Sequence, residues 1–393
     1  MTRTAPLTPI LVISFLYSLG TAVLWNGLGF IAKETYGFSE SANLALAIYN
    51  GGVYAIAAFA SGPITRKLAG RITPRGIIAW VLILQVLICP LIMLSPSTLL
   101  LFVLTGSMSI LAAFFWPIIE AYVSAGRDDA RMRSAIGWWN IVWMTALGIG
   151  LIAMAPLLAT GKASYAIAAL GPINLLCVLI LFLGIPARVA EHRHHQPQHQ
   201  APPHYARLLA SSRALLPTSY ALIGALSPIM PYLLDSLNAP LAWQTSLVAT
   251  WMFARVIGIG LLWAFPFWHG RWSIILLGTL LLLGGFATTV LAGSIATAVT
   301  GLAIFGFGQA VIYYAAMYYV MAVGEADVDA AATHEGLIGL GYAAGPAAAL
   351  GGVALGGGGW IVVATWGIPA MAVWPALRPY LKTRQEDEAN RPS

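Results

Sequence analysis

Two ionisable side chains stand in stretches that are otherwise apolar. Arg255 lies in Trp251-Met-Phe-Ala-Arg255-Val, and Glu120 follows Phe114-Phe115-Trp116-Pro117. A charged group deep in an apolar helix normally faces a cavity or a partner. A fixed guanidinium favours a carboxylate or a phosphate, which it can hold through two parallel hydrogen bonds. Its alternative is a pairing with helix carbonyls or with an acid on another helix. A carboxyl in apolar surroundings is suited to taking up and releasing a proton, and its alternative is a hydrogen-bonded structural role near the interface. His334 and Glu335 form a second candidate proton relay, with a helix cap or dipole role as the alternative for the acid. Asp235 reads as loop-exposed. Around these stand aromatic and amide side chains that need partners in an apolar medium: Trp25, Asn26, Trp116, Asn140, Trp143, Gln309, Tyr313 and Tyr314. A bound ligand, water or a neighbouring helix would supply them.

Membrane-crossing helices are the elements that must hold these residues. The 393-residue sequence is 59% hydrophobic and 9% charged, with a mean hydropathy of +0.80, against roughly a quarter charged in soluble domains. No water-soluble fold of this length hides so much apolar surface. A hydrocarbon core about 30 Å thick takes roughly 20 apolar residues in a helix. Twelve stretches qualify, near 9–32, 42–62, 76–95, 98–124, 136–159, 163–185, 213–236, 240–265, 272–292, 295–323, 336–356 and 359–377. Glycine fills the join between the last two. The first stretch exceeds a signal-peptide core and has no small-residue cleavage pattern, so it is expected to stay as helix 1.

The net charge of +6 does not point to nucleic acid, because the basic residues sit in short clusters between the apolar runs. With the N-terminus inside, all but Lys33, Lys162 and Arg255 of the 20 Lys and Arg residues fall on the side of the termini. That asymmetry predicts an even number of spans with both termini cytoplasmic, in a bacterial inner (plasma) membrane. The one long polar stretch carries His192, His194, His195, His199 and His204. No Cys or carboxylate joins them in a metal-like spacing, and Cys89 and Cys177 are unpaired within apolar runs. Neither a metal nor a cofactor is expected. The stretch reads as a tether over 187–212, between an N-terminal six-helix bundle over 1–186 and a C-terminal one over 213–393 with a short cytoplasmic tail. Weak internal similarity supports the division. Leu104-Thr105-Gly106 in the fourth span matches Val299-Thr300-Gly301 in the tenth, and Gly70-Arg71 after the second matches Gly270-Arg271 after the eighth.

The segment Gly62-Pro-Ile-Thr-Arg66-Lys-Leu-Ala-Gly70-Arg71 resembles the G-x-x-x-D-x-x-x-G-R signature of the major facilitator superfamily, with Arg66 where the family usually has Asp. Gly341-Tyr-Ala-Ala-Gly345-Pro346 in helix 11 is similar to the family's small-residue G-x-x-x-G-P pattern, which its antiporters carry in helix 5; helix 5 here has Gly148-Ile-Gly150 and Ala155-Pro156 instead. The resemblance implies an all-α membrane fold of twelve helices in two pseudo-symmetric bundles that rock about a central site in alternating access. It implies a gating role for Gly62, Arg66, Gly70 and Arg71, and a cavity lined by helices 1, 4, 5, 7, 8, 10 and 11. Because Arg66 reverses the usual charge, the acids Glu325, Asp327, Asp329 and Glu335 before helix 11 are candidates for a charge-reversed latch with it.

The expected function is therefore secondary active transport of a small organic solute, with coupling to protons through Glu120, Glu335 and His334. A membrane sensor or scaffold derived from a transporter is the alternative. An integral-membrane enzyme is disfavoured, since no H-E-x-x-H or G-x-S-x-G motif occurs and the glycine runs lack the context of a nucleotide loop. Repeats without a filter-like loop disfavour a channel. The expected partners are a small-molecule solute, membrane lipid and protons, without nucleic acid, and the chain is expected to be a monomer.

Overall fold

In lipid, backbone polar groups have no water to bond, so a spanning segment must close its hydrogen bonds within itself. A computed structural model, which describes residues 4–187, 202–323 and 328–389, is helical throughout its regular parts. Twelve helices are long and apolar enough to cross a membrane: α1 (Leu7–Tyr36), α2 (Glu40–Leu68), α3 (Pro74–Met93), α4 (Thr98–Ser124), α5 (Arg131–Ala159), α6 (Tyr165–Gly184), α7 (His204–Ser236), α8 (Leu241–Ala264), α9 (Trp272–Val290), α10 (Ile295–Val320), α11 (Ala331–Ala354) and α12 (Gly359–Lys382). Each expected stretch overlaps one of them. Side-chain caps fix several starts: Ser39, Thr73, Ser97 and Asp128 accept from backbone N–H groups three residues on. These satisfy donors the first turn would otherwise leave open.

Several helices outrun their apolar cores, because hydropathy marks only the part that crosses hydrocarbon. Helical structure leading into α7 begins at Pro203, so the last part of the expected tether is helical and His204 belongs to it. His192, His194, His195 and His199 lie outside the described residues. The helix of α11 begins at Val328. Glu335 therefore sits about two turns inside it, which corrects the reading of this acid as a helix cap. Asp235 also departs from its expected loop role. It is half exposed, but its carboxylate pairs with Lys33 of α1 and accepts from Gln244 Nε2 at 2.7 Å.

In the first matched pair, Thr105 and Thr300 each return their hydroxyl to the carbonyl four residues earlier, at 2.8 and 2.9 Å, as helical Thr side chains elsewhere in the chain also do. The second matched pair diverges, since Gly270 adopts φ +74° and Gly70 does not share that conformation.

Two six-helix bundles meet along a seam, with α2 running along α11 and α5 along α8. The bundles touch at both ends of it. Toward the termini, Phe59 rests on Gly336, and the rings of Trp138 and Trp263 lie 5.5 Å apart. At the opposite face, Lys33 meets Asp235, Asn43 Nδ2 donates to Tyr232 Oη at 3.1 Å, and Tyr232 donates to the Phe38 carbonyl at 2.6 Å. The space between is closed above and below by side chains.

Close approach of α11 to α7 fixes one side of this seam. A Cβ on Gly345 would stand 1.8 Å from the Ala221 carbonyl oxygen, whereas one on Gly351 would meet nothing within 4 Å. Backbone cannot yield as a flexible side chain can, and overpacking of this kind costs about 1–3 kcal/mol. Gly345→Val is accordingly expected to lower the melting temperature of the detergent-purified protein by several degrees, while Gly351→Val on the same helix leaves it unchanged. Equal melting of the two variants would contradict this packing.

Candidate functional site

The space at the seam is a cavity with about 570 Å³ of non-atom space among its lining atoms, open solvent included. Both bundles build it. From the first come Thr21, Trp25 and Asn26 of α1, Tyr54 of α2, Trp116 and Glu120 of α4, and Trp139, Trp143 and Leu147 of α5. From the second come Tyr220 of α7, Trp251 and Arg255 of α8, Tyr313 of α10, and Glu335, Ile338 and Tyr342 of α11. The helices that line it are those the resemblance implied, with α2 added through Tyr54.

Local irregularity brings two of these residues inward. Within α1, Val23–Gly27 forms a π-helical turn, which widens the helix by one residue and rotates Trp25 and Asn26 onto the seam. Asn26 Oδ1 accepts from Ser227 Oγ of α7 at 3.1 Å, so the amide binds the two bundles together. In α4, Pro117 cannot donate to the carbonyl four residues before it, and the break falls one turn before Glu120.

Arg255 is 1% exposed. Its guanidinium carbon lies 4.3 Å from the centroid of Tyr313, 5.3 Å from Trp143 and 6.0 Å from Tyr220. Such π faces attract a cation without neutralising it. Among the described residues its one hydrogen bond to a side chain, from Nη2 to Tyr220 Oη, is long at 3.5 Å, and Nε has no acceptor. Among the described residues no carboxylate makes an ion pair with it. The alternative of a structural pairing with an acid on α4 or α11 is therefore not what the structure holds.

The acids lie near each other instead. Glu335, 7% exposed, accepts a hydrogen bond from Tyr54 Oη and lines the same cavity as Glu120. The pair spans the seam, with Glu120 on the first bundle and Glu335 on the second. Glu120 is partly exposed and lines the cavity.

Of the other candidate residues, Trp25, Asn26, Trp116, Trp143 and Tyr313 line the cavity, whereas Asn140, Gln309, Tyr314 and His334 do not. Asn140 accepts from Trp143 Nε1 at 3.1 Å and donates to the Ile136 carbonyl, so it orients a cavity wall from behind. Tyr314 packs with Trp268, 6.0 Å away, in a separate apolar cluster toward the termini. Gln309 is fully buried, and the protein gives neither of its amide atoms a partner. His334 lies 5.9 Å from the Tyr313 ring, behind the cavity surface. Gly62 is buried in α2, Arg66 stands in the last turn of that helix, and Gly70 and Arg71 form the turn that follows. Glu335 turns inward to Tyr54, so it does not belong to the expected latch with Arg66; Glu325 and Asp327 lie outside the described residues.

Sequence reasoning missed Tyr54, Trp139, Tyr220, Trp251 and Tyr342 as wall residues. For Tyr342 the signal was present, because it sits inside the Gly341–Gly345 small-residue pattern that brings backbones together. For Tyr54 the signal was its place one turn after Asn50, on a helix not expected at the cavity.

No curated protein matches this sequence. Among solved structures, the nucleoside transporter NupG is similar with a TM-score of 0.66 at 13% identity, covering 95% of this chain and 98% of that one. A bacterial homologue of the human lysosomal transporter Spinster, inward-facing and unoccupied, is similar with a TM-score of 0.66 at 16% identity, covering 95% and 87%. Its inward-facing, occupied form gives 0.66 at 15% identity, covering 95% and 96%. At these identities the likeness is one of fold. With residues 10–349 matching the family as a whole, a span that takes in all the walls of the cavity, the chain belongs to the Major Facilitator Superfamily.

Proposed function

We propose that this protein is a proton-coupled secondary transporter of small organic anions, working by alternating access about the seam cavity. The observation that carries the reading is that Arg255, an ion-pair-free cation among the described residues, shares the seam cavity with two acids, one from each bundle. A carboxylate or similar anion on the solute would supply the acceptor that Arg255 Nε lacks, in surroundings where a charge-assisted hydrogen bond is stronger than in water. The five tryptophans and four tyrosines of the wall suit a solute with a flat apolar body.

The acid pair supplies the coupling. With the bundles closed, Glu120 and Glu335 hold a proton between them. When the bundles part toward the termini, α4 leaves α11, the hydrogen bond opens and the proton can exchange. In this reading the units are 1–186 and 213–393, joined through 187–212, with Gly62, Arg66, Gly70 and Arg71 at the moving end of α2. Both termini are cytoplasmic, as the Lys and Arg distribution favours, in a bacterial inner membrane and with the monomer as the working unit.

Two measurements test this. In a thermal-shift screen, organic carboxylates are expected to raise the melting temperature, since a ligand that prefers the folded state stabilises it, while lipophilic cations do not. Arg255→Gln is expected to weaken the best anion by about ten- to a hundred-fold, the loss of one charge-assisted hydrogen bond worth about 1.5–3 kcal/mol. A hit class of cations, or full retention of anion binding in the variant, would refute the assignment of Arg255.

Glu335→Gln keeps a hydrogen-bonding side chain but has no ionisable proton. Proteoliposomes carrying this variant are expected to lose solute accumulation driven by a pH gradient, at least about ten-fold, while still exchanging labelled for unlabelled solute at equal pH. Accumulation that survives the change would remove Glu335 from coupling.

A further inference from the structure

A second compartment lies between the central cavity and the face opposite the termini. It is walled by α1, α2, α7 and α11, and Asn43, Asn50, Ser227, Trp25 and Tyr342 are among its lining residues. Trp25 and Tyr342 also line the central cavity. Their rings are stacked, with centroids 4.3 Å apart and planes 19° from parallel, so the pair forms a partition between the two spaces. Beside it runs the Asn26–Ser227 hydrogen bond, with Asn26 on the central side and Ser227 on the far side. Each contact in this partition joins one bundle to the other.

The wall chemistry differs from that of the central cavity. Among the lining residues no group is ionisable apart from the tyrosine hydroxyl. Asn50 is 1% exposed, and the protein gives neither its amide nitrogen nor its amide oxygen a hydrogen-bond partner. Asn43 uses its nitrogen on the Gly29 carbonyl at 2.8 Å and on Tyr232, but its oxygen is left without a partner. A buried amide left open costs about 1–3 kcal/mol. An Asn in a helix facing apolar neighbours could be replaced by Leu at no such cost. A Cβ on the adjacent Gly51 would lie 2.5 Å from the Tyr342 backbone, so α2 packs backbone to backbone on α11 at this level.

We infer that the Asn43–Asn50 compartment is a second binding station, specific for an uncharged group that both donates and accepts hydrogen bonds, a carboxamide above all. A primary carboxamide presents an N–H and a carbonyl side by side, and the open valences of Asn50 are the complement of that pair. Asn43 Oδ1, about two turns away on the same helix, is a further open acceptor in the compartment. Separation of the bundles at the face opposite the termini breaks both the Trp25–Tyr342 stack and the Asn26–Ser227 bond, which joins the station to the central cavity. The station thus lies on the solute's route between that face and Arg255. The inference goes beyond the anion reading of the central cavity and does not need Arg255 to bind a solute.

Two probes of one shape separate the sites: benzamide for the neutral station and benzoate for Arg255. Binding is read by melting-temperature shift and by calorimetry on the full-length protein, for wild type, Asn50→Leu, Asn50→Ser and Arg255→Gln. Benzamide is expected to bind wild type, to bind about ten-fold more weakly to Asn50→Leu and Asn50→Ser, and to keep its affinity in Arg255→Gln. Without ligand, Asn50→Leu is expected to melt at or above wild type, since it removes an open amide and keeps the branching and heavy-atom count of the side chain. Benzamide that fails to bind wild type, binds equally to the Asn50 variants or depends on Arg255 would overturn the inference, as would a ligand-free Asn50→Leu that melts several degrees lower. Failure of benzoate, or its indifference to Arg255→Gln, would instead strike the anion reading and leave the benzamide result standing.

Discussion

Hydrocarbon offers no hydrogen bonds, so every polar side chain carried into the membrane must find its partner inside the protein. This chain meets that constraint in two ways. Within the first bundle, Gln85 donates to Tyr17 Oη at 2.9 Å and accepts from Asn174 at 3.0 Å; the network closes on itself and serves as glue. Other valences stay open among the described residues, away from the cavities as at Gln309 and along the seam at Arg255 Nε, both amide atoms of Asn50 and the Asn43 oxygen. Those along the seam stand where two bundles can part and a passing solute can complete them.

One helix carries much of that arrangement. On α11, Gly345 brings the backbone against α7 of its own bundle, while Gly339 sits against Ala55 of α2 in the other. The same helix bears Glu335 on the acid pair and Tyr342 in the partition between the two compartments. Small residues and functional side chains alternate along it, so the helix can touch both bundles closely and still project groups into the space between them. Its neighbour across the seam, α2, answers with Asn50 and Tyr54 one turn apart. A rigid-body motion of one bundle would therefore move the proton pair, the aromatic partition and the amide station together.

The twelve helices were legible because hydrocarbon thickness sets a length that composition alone can reveal. Arg255 and Glu120 were legible for the same reason, as charges where charge is costly, and both line the cavity. Glu335 was recognised as a candidate but placed at a helix start, because the apolar count begins only at 336 while the helix reaches back to Val328. What the sequence could not reveal was which face each aromatic turns inward. Tyr313 and Tyr314 are adjacent and chemically alike, yet one lies against Arg255 and the other in a peripheral cluster. Helical rotation of about 100° per residue separates them, and a low-contrast, uniformly apolar helix gives no periodicity from which to read that rotation. The π turn at Val23–Gly27 compounds the problem, since it shifts the phase of everything after it in α1.

The separation of Arg255 from the acids bears on how the proposed transport would be driven. Had the guanidinium been salt-bridged to Glu120 or Glu335, a solute anion would have to displace a carboxylate, and the swap would bring little net gain. In the proposed closed state the acids share one proton and carry one negative charge between them, against the one positive charge of Arg255. The cavity would then be neutral as a whole. An anion that joins Arg255 adds a charge which a cavity of low polarity tolerates poorly, and the cheapest compensation within reach is a second proton on the acid pair. Solute and proton would therefore favour each other's presence in the closed state without touching. On this reading coupling arises from the charge balance of a closed space, and it requires only that the three groups share that space.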